Sequence, residues 1–292
     1  MTNRQDWLAE QFETHRDHLR SVAYRMLGSL SDADDAVQAS WLNLSRADTS
    51  AVENIGGWMT TIVARVCLDM LRSRKARRED QFAVSDEIKS GEDGTDPERE
   101  AQLADSVGLA LLVVLDMLAP DERLAFVLHD VFDLPFEEIA PIVGRTSTTA
   151  RQLASRARRR VRGAATVSST ELNQQRELVT AFLTAARAGD FNALLTVLDP
   201  DVMLRSDAVL TPSGGPLEVR GAERVAKMYA RSGGVQAIRP ALVNGMVGLV
   251  VAPRGKLMLV VNLTFKDGKI AVIDASSDPE RLRQTTLAIL DD

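Results

Sequence analysis

Leu134–Gly163, LPFEEIAPIVGRTSTTARQLASRARRRVRG, decides the reading of this 292-residue chain. Its spacing predicts a short helix over Phe136–Val143, a turn at Gly144 and a second helix beginning at Ser147 or Thr148. Ile139, Ala140, Val143, Ala150, Leu153 and Ala157 supply one apolar seam between the two helices. Ala140 is small where the helices cross closely, and Gly144 can take the positive φ that the turn demands. This is the pattern of a helix-turn-helix, whose second helix offers its N-terminal residues to base edges in the major groove.

The chemistry of that second helix agrees with contact to DNA. Thr148, Thr149, Arg151, Gln152, Ser155 and Arg156 fall on its more exposed faces, flanked by Arg145 and Arg159. Arginine and glutamine can read guanine and adenine edges with paired hydrogen bonds, while Thr and Ser hydroxyls suit phosphates. Between Arg145 and Arg162 stand seven arginines and no acidic residue, a local basic patch inside a chain of net charge −6. Phosphate contact depends on such clusters rather than on totals. A solvated helix pair with a basic tail is the competing reading.

Working outward, helical periodicity covers the chain up to about Lys75. Leu19, Val22, Ala23 and Met26 recur at three and four, as do Ala33, Val37, Ser40, Trp41 and Leu44. Gly28 turns the chain, with Ser31 the expected N-cap of the next helix. After Gly56–Gly57 a third helix is expected to bury Trp58, Ile62, Val66 and Met70 and to end in a basic run. Residues 79–100 are acidic, polar and turn-rich, which reads as a linker. Helical spacing resumes near Ala101 and lasts to about Arg162. Beyond Glu171 come a long helix ending at Gly189, the helical piece FNALLTVLDPD, and then strands in VMLRSD, GLVVA, KLMLVVNLTF and KIAVIDAS. The KDGK turn is a hairpin signal. The fold class is therefore multidomain, with two all-α domains followed by an α+β domain.

Composition narrows the function classes. The polar N-terminus has no secretory core, and the longest apolar run, Val107–Leu118, is short and broken by Asp116. With one cysteine, Cys67, and three scattered histidines, no metal site and no cofactor are expected. A cytoplasmic protein without a membrane partner follows.

Two stretches resemble one family. LAPDERLAFVLHDVFDLPFEEIAPIVGRTSTTARQLASRARRRVR (Leu118–Arg162) is similar to the promoter −35 reading domain, region 4, of extracytoplasmic-function sigma factors. LRSVAYRMLGSLSDADDAVQASWLNLSR resembles the core-polymerase-binding segment of the same family's region 2. The resemblance implies that Asp32, Asp34, Asp35 and Gln38 dock on the β′ clamp of RNA polymerase core, with the β flap as a further partner surface. For the acidic residues, simple helix capping is the alternative, and the two can coexist. GWMTTIVARVCLDMLRSRKARR is similar to the segment that captures the melted −10 element. It implies a cationic track of Arg65, Arg72, Arg74, Lys75, Arg77 and Arg78 and a base pocket in the loop Arg46–Gly57 that includes Asn54. Trp58 suits either the core or base stacking, its phase favouring the core. Cys67 reads as a small core residue.

The last segment resembles a SnoaL-like cone, through LVTAFLTAARAGDFNALLTVLDPDVMLRSD and FKDGKIAVIDASSDPERLR. The implied domains are 1–78, a linker at 79–100, 101–165, and 171–292. Arg205, Asp207, Tyr229, Asn262 and Asp274 are candidate pocket residues, and a small apolar ligand is a candidate occupant. If the domain were an enzyme, Asp207, Glu218 and Asp274 would be its acid–base candidates. Fused to sigma regions, such a domain implies control in cis. The chain lacks the WLP linker motif and the DGGGK loop of the best-known fusions, and its tail SSDPERL is only similar to theirs. Three readings stand: a sigma factor with no activity of its own as an enzyme, a ligand-responsive regulator with one helix-turn-helix, and an enzyme carrying a helical targeting domain.

Overall fold

The computed structural model describes residues 2–45, 47, 52, 54–80, 109–163, 165–207, 216–231, 238–252 and 256–290. Most of the expected linker lies outside the described residues, as does the side chain of Arg78. The chain divides into two compact units, Met1–Gly108 with Leu115–Arg158, and Leu109–Val114 with Arg159–Asp292.

In the first unit, α1 (Thr2–Leu27) ends at Gly28, whose φ of 77° lets its N–H reach the Tyr24 carbonyl at 2.8 Å. The chain reverses within that one residue. Ser29 therefore caps α2 (Leu30–Leu44), its hydroxyl accepting from Asp32 N at 3.4 Å, and the expected cap Ser31 already lies inside the helix. Asn54 caps α3 (Ile55–Asp80): its Oδ1 accepts from Gly57 N and its carbonyl from Trp58 N, both at 3.0 Å. The three helices pack through Leu19, Val22, Ala23 and Met26 of α1, Ala33, Val37, Ser40 and Leu44 of α2, and Met59, Val63, Ala64, Cys67 and Leu68 of α3, all buried. The expected α3 stripe of Trp58, Ile62, Val66 and Met70 is only half-buried. This helix carries two adjacent apolar stripes, and the fully buried one is the second.

The unit continues through the end of α4 (Leu109–Asp116), then α5 (Pro120–Phe126), which passes without a break into one π-turn, Val127–Val131. Pro120 opens α5 at a position where the missing N–H is harmless. α6 (Phe136–Val143) and α7 (Ser147–Arg162) form the helix pair read from the sequence, and all six seam residues are at most 7% exposed.

The second unit sets helices on one face of a seven-stranded sheet. α8 (Ser169–Ala188) is capped by Ser168 and ends at Gly189, where φ is 67°. α9 (Phe191–Val197) is capped by Asp190, and the chain turns to strand at Leu198, so the expected helical piece loses its DPD end to β1. The elements that follow are β1 (Leu198–Ser206), β2 (Leu217–Arg220), α10 (Ala222–Arg231), β3 (Ile238–Val243), β4 (Met246–Val251), β5 (Leu259–Lys266), β6 (Lys269–Ser276), α11 (Pro279–Gln284) and β7 (Leu287–Ala288). Their order across the sheet is β2-β1-β6-β5-β4-β3-β7, parallel only between β1 and β6. The KDGK turn does join β5 to β6, with positive φ at both Asp267 and Gly268, the pairing of conformations that matches strand twist. Val179, Phe182 and Leu183 of α8 pack with Leu204, Val261 and Ile273 of the sheet to form the core.

Candidate nucleic-acid interface

Gly144, left-handed at φ 69°, ends α6, and the Arg145 N–H returns to the Ala140 carbonyl at 3.0 Å. No atom lies within 4 Å of where its Cβ would stand, so conformation alone demands glycine here. Thr146 starts α7: its hydroxyl accepts from Thr149 N at 3.2 Å and its carbonyl from Ala150 N at 2.9 Å. Arg145, Thr148, Arg151, Gln152, Ser155, Arg156 and Arg159 are exposed, as expected of readers. Thr149 is half-buried, its hydroxyl 3.0 Å from that of Thr146. Arg151 lies 5.1 Å from the Phe136 ring centroid and 4.0 Å from Glu137, which orients it without burying it. Arg156 pairs with the buried Glu122 at 3.5 Å, and Arg158 pairs with Asp130.

The other expected basic surface is divided among different tasks. Arg74 binds Asp32 at 2.5 Å, joining α3 to α2. Arg72 binds Asp121 of α5 at 2.8 Å, and Arg65 donates to the Pro141 carbonyl of α6 at 3.4 Å. Lys75 and Arg77 are exposed, with Arg77 leaning on Ser73 of its own helix. Of the acidic set, Asp32 is half-buried, Asp34 accepts from Arg20 at 2.7 Å, and Asp35 and Gln38 are open to solvent. Phe12, Arg16, Arg20, Asp34, Val37 and Gln38 line a groove between α1 and α2.

Sequence reasoning missed Arg123. It is 2% exposed, and its guanidinium donates twice to the Arg25 carbonyl at 3.2 Å and once to Asp116 at 3.3 Å. Burial pulls its pKa down to about 10, against the opposing pull of Asp116, so the group is still charged at neutral pH. Nearby Cys67 is buried, and its thiol is pushed up to about 12 by that burial.

In the second unit the five pocket candidates do not converge. Arg205, Asp274 and Asn262 stand in register across β1, β6 and β5, with Glu218 of β2 opposite Arg205 at 3.6 Å. Strand alternation sets them on the face away from Leu204, Ile273 and Val261. Tyr229 packs edge-on against Phe182 on the helix-covered side, its hydroxyl pushed up to about 12 by burial. Asp207 instead ties the end of β1 to the tail. Its carboxylate accepts from Ser276 Oγ at 2.9 Å, Ser277 N at 2.6 Å, Ser277 Oγ at 3.0 Å and Asp278 N at 2.9 Å. Burial would raise its pKa, but these four bonds outweigh it and hold the group below the usual 3.8. Among the described residues no group of three His, Cys, Asp or Glu side chains could hold a metal ion.

A carboxyl depressed in the folded state stabilises fully above its unfolded pKa, and that contribution is lost as pH falls through the folded value. Asp207→Asn turns an amide N–H₂ toward donors and is expected to cost ~1–2 kcal/mol at pH 7. Thermal midpoints should differ at pH 7 and converge on acidification below about pH 3.8. A difference that persists unchanged in acid would refute this account of the tail.

Comparison with known proteins fixes what this architecture belongs to. Residues 11–77 match sigma-70 region 2 and residues 108–161 match sigma-70 region 4, the class of bacterial transcription initiation factors. The chain is 35% identical to ECF RNA polymerase sigma factor SigJ of Mycobacterium tuberculosis (strain H37Rv), over 95% of this chain and 94% of the relative. It is 34% identical to the probable ECF sigma factor SigI of Mycobacterium tuberculosis (strain CDC 1551), covering 95% of both. The crystal structure of Mycobacterium tuberculosis SigJ is similar at 32% identity, with a TM-score of 0.45 over 94% of this chain and 98% of that one. The chain belongs to the extracytoplasmic-function RNA polymerase sigma factors. Members of the family act in transcription initiation with RNA polymerase core and promoter DNA. No helix among the described residues is long and apolar enough to cross a membrane.

Proposed function

We propose that α7 reads the −35 element through Arg145, Thr148, Thr149, Arg151, Gln152, Ser155, Arg156 and Arg159. The observation that carries this is the N-terminal face of α7: exposed, polar, and part of a stretch with seven arginines and no acid. Arg65, Arg72, Arg74, Lys75, Arg77 and Arg78 then track the melted −10 strand, with Asn54 at the entrance of α3. Asp35 and Gln38, open on α2, together with Asp32 and Asp34, meet the β′ clamp of the core enzyme, and region 4 meets the β flap. The division at 1–78, 101–165 and 171–292 assigns these roles to separate segments. Two weak readers joined by a linker gain affinity once polymerase holds both.

The C-terminal domain regulates in cis rather than catalysing. Asp207 is saturated by donors, the Tyr229 hydroxyl is far from neutral pH, and the remaining polar candidates occupy the opposite sheet face. A small apolar ligand is the candidate effector of this domain. The protein works in the cytoplasm. Run-off transcription with purified core enzyme tests the reading. Full-length chain is expected to initiate in a core-dependent way, and chains cut at several points between Thr166 and Glu171 at an altered level. No core-dependent initiation removes promoter reading, and equal output from every cut removes the regulatory role.

A further inference from the structure

Arg20 of α1 and Asp34 of α2 meet across the hairpin that Gly28 turns. Arg20 Nη2 donates to Asp34 Oδ2 at 2.7 Å and Nε stands 2.6 Å from Oδ1, so the planar fork faces the carboxylate oxygen for oxygen. Nε is closed off from solvent and makes no hydrogen bond outside this pair. The Arg20 side chain is 19% exposed and the Asp34 side chain 51%. One member is set between the helices, and the other is offered to solvent. Capping does not account for Asp34. Ser29 caps α2 and Asp32 occupies its first turn, whereas Asp34 lies in the second, where the pull of the helix dipole has faded. Both members line the groove between α1 and α2, together with Phe12, Val37, Gln38 and Trp41.

We propose that Arg20 is a positioning residue for docking on RNA polymerase core: it fixes the Asp34 carboxylate in one rotamer on the rim of this groove, ready to accept from a donor of the β′ clamp. The proposal rests on the docking role given to α2 above. An ionised carboxylate has about four lone-pair sites, and the Arg20 fork takes one on each oxygen, so the outer sites stay open to a partner. Arg20 itself is mostly covered and acts through Asp34. Fixing a side chain before the partner arrives removes an ordering cost equivalent to about two- to twelve-fold in affinity. Charge alone predicts the opposite sign. Glu13, Asp17, Asp34 and Asp35 make this face acidic, so deleting a cation from it would strengthen attraction to a basic partner.

The test is a double-mutant cycle on the full-length chain, read as affinity for immobilised core polymerase. Arg20→Met keeps the length of the stem and removes the fork, so the urea midpoint of the tryptophan signal should stay near that of the parent. Its affinity for core is expected to fall about two- to twelve-fold. Asp34→Ala should lose at least as much, and the double variant no more than Asp34→Ala alone, because Arg20 acts through Asp34. Arg20→Lys keeps the charge without the fork and should recover only part of the loss. Unchanged or tighter binding by Arg20→Met overturns the proposal, as does full affinity in Arg20→Lys or a double variant whose loss is the product of the two single losses. Asp35→Lys tells the two failures apart. If it weakens binding while Arg20→Met does not, the positioning role falls and the docking face stands. If neither Asp35→Lys nor Asp34→Ala moves the affinity, the docking face itself falls and the proposal with it.

Discussion

Arg123→Ala is expected to destabilise the first unit by about 3–5 kcal/mol, the loss typical when one partner of a buried charged network is removed. The side chain is almost wholly enclosed, and each of its contacts uses a different part of the guanidinium fork. Nε and Nη2 meet the Arg25 carbonyl, in the last turn of α1, where helix carbonyls lack intrahelical partners. Nη1 meets Asp116. Truncation leaves that carbonyl and carboxylate without this donor and opens a cavity at the joint of α1 and α5. Lysine cannot restore the arrangement, since one ammonium on a flexible stem does not reproduce a planar fork. Arg123→Met keeps much of the volume, and the loss should shrink toward the ~1–3 kcal/mol of an unsatisfied buried acceptor. The three tryptophans, Trp7, Trp41 and Trp58, all lie in the first unit, so fluorescence during urea unfolding follows that unit alone. A shift below about 1 kcal/mol for the alanine variant would show that the buried arginine does not anchor the joint.

That residue also marks where the sequence ceases to be readable. The helix-turn-helix was legible because its seam has one solution: six apolar or small residues at helical spacing around a glycine, all of which the structure buries. Arg123 sits in a polar run, PDER, and arginine is so seldom buried that nothing local marks it as core. α3 failed differently. Trp58, Ile62, Val66 and Met70 form as regular a stripe as Met59, Val63 and Cys67, and only the packing against α1 and α2 chooses between them. In the sheet, β3 contains Pro240, which argues against a strand. The exception is allowed because β7 pairs only with Leu242 and Val243, leaving Pro240 on an open edge. Asp207 reads as a free acid until the tail folds back across 69 residues to bond it. Long-range closure of that kind leaves no local signature.

The −35 assignment faces its hardest test in Arg151→Ala, Gln152→Ala. Both residues are exposed, and Arg151 rests on the Phe136 ring without entering the core, so the fold should keep its thermal midpoint. Each base reader is worth about 1–3 kcal/mol, so together they should lower promoter use by roughly 10²- to 10⁴-fold and relax the sequence preference at the bases they meet. Arg156 is left out deliberately: it pairs with buried Glu122, and its loss would mix stability with recognition. Arg159→Ala supplies the contrast. As a phosphate contact it should weaken every promoter alike and lower the salt slope by about one, with no change in preference. The comparison separates the competing readings of a basic helix. A merely solvated basic tail would respond to charge alone, so Arg159→Ala and Arg151→Ala would behave alike and Gln152→Ala would do nothing. If the neutral glutamine matters and its loss alters which promoters are chosen, the helix is reading bases.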